Sequence, residues 1–208
     1  TSDRGLCGGF NSNIVKRAKK LINENYSSAD ITVMSIGKKA SQSFSKTDYK
    51  LNKEHEELIT NFDFDSVGAV AEEVMKAYEA EKYDKVELVY AQFKNPAVQF
   101  FISESFLPIQ PNEDVEENQG GVDFIFEPNK DEIISTLVPK ILKTQFFKAM
   151  LDTNASQHGA RMTAMDNATE NAEELLKELK ISYNRARQAA ITTELTEIVS
   201  GAAVLEEG

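Results

Sequence analysis

The sequence predicts an α/β fold: a domain with a mostly parallel sheet, followed by one long C-terminal α-helix. Strand and helix patterns alternate over residues 1–127, which favours a parallel sheet with helices on its faces. From Lys140 to Ser200 there is no proline and only one glycine, Gly159. About sixty residues at a rise of ~1.5 Å each predict a helix on the order of 90 Å long. We therefore divide the chain into an α/β domain, residues 1–127, and a long helix, residues 128–208.

The first elements are a loop, a helix, a strand and a short helix. Thr1–Asn11 contains three glycines and is typical of a loop, whereas Ser12–Asn25 has apolar residues at helical spacing. Ile31–Ile36 is an apolar run that suits a buried strand. Gly37 ends this strand, and Lys38–Phe44 suits a short helix. A glycine-rich loop that runs into a helix normally follows a strand, so we expect a further segment before the first loop.

The middle of the chain adds a strand and an amphipathic helix. Tyr49–Leu51 predicts a second short strand. Asp65–Glu81 carries valine, alanine, methionine and tyrosine at positions i, i+3 and i+4, which predicts a helix with one buried face. Its expected N-cap is Asp65 or Ser66, because short polar side chains accept hydrogen bonds from the first free N–H groups.

A hairpin and an acidic loop follow. Lys85–Phe93 and Val98–Ile109 read as strands, and the Asn95-Pro96 pair between them predicts a turn, so we expect a hairpin rather than a crossover. Pro111–Gly121 is rich in acidic residues, asparagine and glycine and predicts a loop. Val122–Phe126 predicts one more short strand.

The long helix begins after Pro128–Asn129, with Asp131 and Glu132 in its first turn, where carboxylates suit the helix dipole. Pro139 predicts a kink or a break early in the helix. Further along, apolar and small residues at alternating spacings of three and four form a heptad seam. Its members are Met165, Ala168, Ala172, Leu175, Leu179, Ser182, Ala186 and Ala189. A second stripe lies on another face and contains Ile191, Leu195, Ile198, Ala202 and Leu205.

Composition excludes several classes of protein. The net charge of −11, from 34 acidic and 23 basic residues, disfavours nucleic acids and anionic membranes as main partners. The single cysteine, Cys7, permits no internal disulfide, and two histidines with one cysteine argue against a structural zinc site. No apolar run is long enough to span a membrane. We expect no metal and no cofactor.

The turn containing Gly5, Gly8 and Gly9 allows two interpretations. Glycines let backbone N–H groups approach an anion, which would make this a phosphate-binding loop. The spacing matches neither common phosphate-loop motif, however, and a tight turn between strand and helix is the favoured interpretation. The phosphate interpretation leads to an alternative function, a phosphate-binding α/β domain with a helical dimerisation arm. A coiled-coil homodimer scaffold is a third possibility, although its seam would be unusually rich in alanine.

The stretch Tyr183–Glu194 places Arg187, Gln188, Thr192 and Glu194 within about two turns of one helix. Short or planar hydrogen-bonding side chains predominate there, which suits specific contacts to a protein wall. Groups on one straight helix cannot surround a substrate, so we do not expect catalysis at this place.

Three segments carry a resemblance to a known family. They are TSDRGLCGGFNSN at 1–13, ARMTAMDNATENA at 160–172 and YNRARQAAITTELTEIVSGA at 183–202. All three closely resemble the gamma subunits of F-type ATP synthases. The family's N-terminal helix, and the strand after it, have no counterpart in this sequence.

The resemblance implies a Rossmann-like α/β domain and a long helix that is half of an antiparallel coiled coil. It implies a central rotor shaft that couples ion flow to ATP synthesis, without catalysis on this subunit. The implied partners are the hexamer of alpha and beta subunits, the epsilon subunit and the c-ring of the membrane sector. The implied location is peripheral, on the cytoplasmic face of the bacterial inner membrane.

The resemblance also assigns residues. Arg161, Gln188, Thr192 and Glu194 match family positions that contact the hexamer. The segment Asp123–Glu127 resembles the foot that meets the c-ring and the epsilon subunit, so Phe124, Phe126 and Glu127 are the implied contacts there.

Overall fold

The computed structural model describes residues 1–60, 62–109 and 129–206. In chain order its elements are α1 (Phe10–Asn25), β1 (Thr32–Met34), α2 (Lys38–Phe44), β2 (Lys50–Asn52), a 3-10 turn (Glu56–Ile59), α3 (Phe64–Glu79), β3 (Val86–Asn95), β4 (Val98–Leu107) and α4 (Lys130–Glu206). The predicted α/β fold with a long C-terminal helix is therefore confirmed. The predicted loop at 111–121 and strand at 122–126 lie outside the described residues.

The described strands form two small sheets. β1 and β2 pair in parallel, with Thr32 opposite Lys50, which is the parallel arrangement expected from the alternating pattern. β3 and β4 pair in an antiparallel hairpin, with Tyr90 opposite Ile102, as the Asn-Pro turn predicted. The two strand pairs are separate sheets within the described part of the chain.

The first loop is fixed to the end of β1 and the start of α2. The Thr1 backbone N–H donates to the Ile36 carbonyl oxygen at 2.9 Å, and the Lys38 N–H donates to Asp3 Oδ1 at 3.0 Å. Asn11 reaches back from α1, and its Oδ1 accepts from the Ser2 N–H at 2.9 Å. The loop therefore holds α1 against the β1–α2 corner.

The cap of α3 differs from the expectation. The N-cap is Asp63, whose Oδ1 accepts from the Ser66 N–H at 2.7 Å, while the Asp63 N–H donates to Ser66 Oγ at 3.1 Å. The prediction of Asp65 or Ser66 was wrong because Phe64 already belongs to the helix. Phe64 packs against Phe147 with a ring distance of 5.5 Å. The hydrogen bonds from Ser66 lower the pKa of the Asp63 carboxyl.

The main core lies between α3, the hairpin and the first half of α4. Val67 and Ala71 on α3 are fully covered, and Phe106 on β4 meets Phe146 on α4 at a ring distance of 5.8 Å. The opposite face of the hairpin packs on α1, where Phe101 meets Phe10 at 6.1 Å. The half of the hairpin away from its turn thus packs on both faces, because side chains along a strand alternate between the two faces.

Pro139 lies inside α4, which runs without interruption from Lys130. The expected break at Pro139 is therefore wrong, whereas the alternative of a kink stays a prediction. Proline removes one backbone donor and would normally interrupt a helix. Here Val138 and Leu142, on either side of it, pack into the main core and hold both flanks in place.

The chain divides into two compact units, Thr1–Ala164 and Met165–Gly208. The first unit includes the part of α4 that carries Leu142, Phe146, Ala149 and Met150, all of them buried. The second unit contains the rest of α4. The predicted domain boundary between residues 127 and 128 lies outside the described residues and stays a prediction.

Adjacent residues on α4 provide a test of this core. Leu142 is 3% exposed, whereas Ile141 beside it is 59% exposed. We expect Leu142→Ala to lower the free energy of unfolding by about 2–5 kcal/mol and Ile141→Ala to change it by less than ~0.5 kcal/mol, as measured by urea unfolding. Equal effects of the two substitutions would contradict the packing of α4 described here.

An ion pair predicts a pH dependence. Lys143 Nζ donates to the Glu72 carboxylate, and this contact lowers the pKa of Glu72 below its ordinary value of 4.5. A lowered folded-state pKa contributes stability that is present above the unfolded pKa and is lost as the pH falls through the folded pKa. Between pH 6 and about pH 3, wild type should lose more stability than Lys143→Met. Parallel pH curves for the two proteins would show that the pair contributes nothing.

Candidate partner interface

The second unit is exposed from Met165 to Ala202. Every residue from Met165 to Ala202 is exposed, including large apolar side chains such as Leu179 at 58% and Ile198 at 67%. Contiguous apolar surface of this extent marks an interaction site in soluble proteins. The side chains of this segment are exposed, and it offers its apolar faces to other molecules.

The predicted heptad seam forms a shallow groove near its start. Met165, Ala168 and Ala172 line the groove, with Thr169 and Leu176 at its edges. Most side chains of the heptad seam are alanine or serine and are therefore short. A neighbouring helix could approach such a seam closely, while each contact would bury little area. This face suits a partner helix that packs tightly without strong adhesion.

The second stripe points in a different direction. At about 100° per residue, Ile191, Leu195 and Ile198 lie ~150° around the helix from the middle of the heptad seam. These three side chains are larger than the knobs of the seam, and each is at least 47% exposed. A single neighbouring helix cannot cover both faces, so the second unit must meet at least two surfaces.

Polar residues flank this second stripe on both sides. Gln188 and Thr192, four residues apart, share one flank, while Arg187 and Glu194, seven residues apart, share the other. All four are exposed. An apolar centre between polar edges is the arrangement of a protein–protein interface. The four polar residues that the sequence predicted as contacts thus lie along the two edges of the second stripe and do not form one cluster.

The threonines on this segment bond to their own helix. Thr192 Oγ1 donates to the Gln188 carbonyl oxygen at 2.8 Å, and Thr193 Oγ1 donates to the Ala189 carbonyl oxygen at 3.0 Å. Thr196 repeats the pattern with the Thr192 carbonyl oxygen at 2.8 Å. Each hydroxyl donor is therefore satisfied within the helix.

The remaining residues assigned by resemblance lie elsewhere. Arg161 is half-buried and belongs to the first unit, so the structure does not gather it with Gln188, Thr192 and Glu194. Phe124, Phe126 and Glu127 lie outside the described residues. The proposed contact roles of all seven residues stay predictions.

The glycine-rich turn leads directly into α1. Gly8 has a positive φ of 55°, and Gly9 is the N-cap of α1. The polar groups beside the turn already have partners, because Asn11 Nδ2 donates to Ser2 Oγ at 2.7 Å and to Cys7 Sγ at 3.1 Å. These contacts favour the interpretation as a structural turn over a phosphate loop.

One apolar stripe was missed by sequence reasoning. Ile134, Leu137, Ile141 and Leu151 are all exposed, with side chains 46–59% accessible, and they share one face of α4 within the first unit. Thr144 and Lys148 complete a spacing of three and four residues along the same face. The spacing of three and four residues is present in the sequence, but Pro139 lies within the stripe and favours a helix break there. This part of α4 also offers a groove to a partner helix.

A mixed cluster of histidine and carboxylates lies beside α3. Ligand atoms of Glu54, His55 and Glu73 lie within 4.8 Å of one another, and His55 Nε2 is 2.8 Å from Glu73 Oε2. Both carboxylates are exposed, and exposed acidic groups commonly occur without an ion. The arrangement is accounted for by a surface pair that ties the 3-10 turn to α3.

Comparison with known proteins identifies the family. The family model described as ATP synthase matches residues 1–205. The ATP synthase gamma chain of Cytophaga hutchinsonii is 52% identical over 211 residues, which cover 99% of this chain and 72% of that protein. The ATP synthase gamma chain of Christiangramia forsetii is 49% identical, over 99% of this chain and 71% of that protein.

Solved structures agree with the fold. A chain of the central stalk and c-ring structure of Tetrahymena thermophila mitochondrial ATP synthase matches with a TM-score of 0.57 and 26% identity, over 81% of this chain and 73% of that chain. A chain from Euglena gracilis mitochondrial ATP synthase matches with a TM-score of 0.69 and 20% identity, over 100% of this chain and 71% of that chain. The second likeness shows the fold alone.

Exposure of the stripes predicts how the isolated chain responds to substitution. Leu179→Ala and Leu195→Ala should each change the free energy of unfolding by less than ~0.5 kcal/mol, because neither side chain is covered. The melting temperature should not depend on protein concentration. A concentration-dependent melting temperature that Leu179→Ala removes would instead show that two copies pair through the heptad seam.

Proposed function

The chain belongs to the ATP synthase gamma-chain family, and on that basis we propose that it acts as the central-stalk rotor of a rotary ATP synthase. It transmits torque between the ion-driven ring of the membrane sector and the hexamer of alpha and beta subunits, and thereby couples proton flow to ATP synthesis. The observation that carries this proposal is the exposed second unit, whose two apolar faces are left uncovered by the residues that the structure describes.

The mechanism follows from the asymmetry of the helix. Its faces differ, with a seam of small residues on one side and the larger Ile191, Leu195 and Ile198 on another. A ring of three otherwise identical catalytic sites would meet a different face at each site. Each face stabilises a different open or closed state, so turning the helix shifts the three equilibria in sequence. The effect on each site is limited by the difference in contact energy between faces.

The proposal assigns no chemistry to this chain. Gln188, Thr192, Arg187 and Glu194 are spread along the two edges of the second stripe and do not converge on a point where a substrate could sit. ATP synthesis would take place on the beta subunits. The contacts of the gamma chain would alter the affinity of those subunits for nucleotides without touching the reacting atoms.

We assign a different partner to each segment of the chain. Arg161, Gln188, Thr192 and Glu194 would contact the hexamer, and the heptad seam would take a second helix of the stalk. Phe124, Phe126 and Glu127 would meet the c-ring and the epsilon subunit. The complex would lie at the cytoplasmic face of the bacterial inner membrane, with this subunit peripheral to it. Among the described residues, no helix is long and apolar enough to cross a membrane.

A paired substitution tests the contact role. In the reconstituted complex, Gln188→Ala with Thr192→Ala should leave assembly intact and lower ATP-driven proton pumping by about fivefold or more, since two hydrogen-bonding contacts contribute about 1–3 kcal/mol together. The measurement is the rate of vesicle acidification beside the rate of ATP hydrolysis.

A neighbouring threonine provides the matched control. Thr193 makes the same hydrogen bond to its own helix as Thr192 but lies on the face of the heptad seam. Alanine already stands on that face at Ala186 and Ala189, so Thr193→Ala should pump at the wild-type rate. If the paired variant pumps as fast as Thr193→Ala, the contact role assigned to Gln188 and Thr192 is wrong.

A further inference from the structure

The one glycine between Lys140 and Ser200 lies where α4 passes the tip of the β3–β4 hairpin. Gly159 is buried, and a Cβ atom added there would lie 2.9 Å from Pro96 Cα and 3.3 Å from the Phe93 ring. Real Cβ atoms essentially never approach another atom to within 3.0 Å. The hairpin backbone therefore occupies the space of a missing side chain, which only glycine leaves free.

Two hydrogen bonds hold the same face of α4 to the hairpin. Ser156 Oγ, which is fully buried, donates to the Ala91 carbonyl oxygen at 3.2 Å. Thr163 Oγ1 donates to the Pro96 carbonyl oxygen at 3.1 Å. Ser156 lies three residues before Gly159 and Thr163 four residues after it, so all three point to one side of the helix. The contact is thus fixed at both ends.

Other parts of the first unit contact this segment as well. Ala160 packs against the cluster that contains Cys7, Phe10 and Ala91. A Cβ atom added to Gly8 would lie 4.0 Å from the Cβ of Ala164, so the first loop also reaches the helix. Side-chain burial on α4 ends at this level, and every residue from Met165 to Ala202 is exposed.

We propose that the Gly159 contact is a rotational key, which fixes the orientation of α4 about its own axis relative to the hairpin. Successive residues are rotated by about 100° around a helix. If α4 turned by that amount, His158 or Ala160 would bring a Cβ atom to the position that Pro96 occupies. The steric clash blocks the turn, and the hydrogen bonds of Ser156 and Thr163 hold the permitted orientation.

The inference rests on the proposed rotor function and names where torque enters the α/β domain. α4 is one continuous helix, so a twist applied to its exposed part arrives at the Gly159 contact before it reaches the main core at Met150 and Phe146. Gly159, Ser156 and Thr163 are then positioning residues, because they set the rotation of α4 where it meets the hairpin.

The test compares the same substitution at two places on one helix. Gly159→Ala forces the hairpin away, whereas Gly201→Ala meets nothing within 4 Å. Alanine is the better helix former at both positions, so only the contact differs. In the full chain, hydrogen exchange of the hairpin amides should rise on the order of tenfold in Gly159→Ala and stay unchanged in Gly201→Ala.

The functional measurement uses the assembled complex. The number of protons pumped per ATP hydrolysed should fall to about half or less in Gly159→Ala, while ATP hydrolysis continues. The reason is that α4 can then rotate relative to the hairpin. The comparison for this ratio is the wild-type complex. A merely structural role would lower assembly or melting temperature without changing this ratio. Should Gly159→Ala fail to fold, Thr163→Val removes one hydrogen bond without adding bulk and should show the same two changes at several-fold smaller size.

Three outcomes would overturn the key. Exchange of the hairpin amides in a folded Gly159→Ala equal to that in Gly201→Ala would show that the contact is not tight. Faster exchange with an unchanged pumping ratio would show that the contact carries no torque. If Gly159→Ala does not fold, and Thr163→Val shows neither faster exchange of the hairpin amides nor a lower pumping ratio, the contact neither holds the helix nor carries torque. If the wild-type complex itself couples no pumping to hydrolysis, the rotor function fails, and the exchange comparison still decides whether the helix is locked.

Discussion

The burial of one face of α4 against α3 and the hairpin is the interaction on which the rest of the structure depends. Leu142, Phe146 and Met150 anchor the helix in the main core, and α3 and the hairpin would have no cover on that side without them. The anchored turns also remove the cost of helix nucleation. Each residue beyond Ala164 then needs only to extend a helix that already exists, which is the favourable step. A bare helix can therefore leave the domain in continuous form.

Local patterns in the sequence were sufficient for most elements. The apolar spacing of α3, the run of α2 and the Asn95-Pro96 turn each depend on neighbours within a few residues, and the structure has these elements within a few residues of the expected bounds. Longer-range contacts account for the misses. Phe64 joins α3 because it packs on Phe147, which moves the cap to Asp63, and no local rule contains that contact.

The candidate interface was predictable in part for the same reason. Heptad spacing revealed the seam that begins at Met165, since an apolar stripe on a helix can be recognised from its period alone. The stripe at Ile134 and Leu137 follows the same spacing, but a proline between its members obscured it. The close approach of Pro96 to Gly159 could not be read at all. A glycine inside a helical pattern indicates a close packing contact, but the sequence does not show which part of the chain makes that contact.

The hydroxyl hydrogens of Thr192, Thr193 and Thr196 all point back to carbonyl oxygens of their own helix. What these side chains turn outward is a methyl group and an oxygen that can only accept. A molecule that holds this end of the helix through its threonines must therefore arrive as the donor, with an amide, an ammonium or a guanidinium group. These threonines therefore favour a partner surface that presents hydrogen-bond donors, and they disfavour a surface lined with carboxylates.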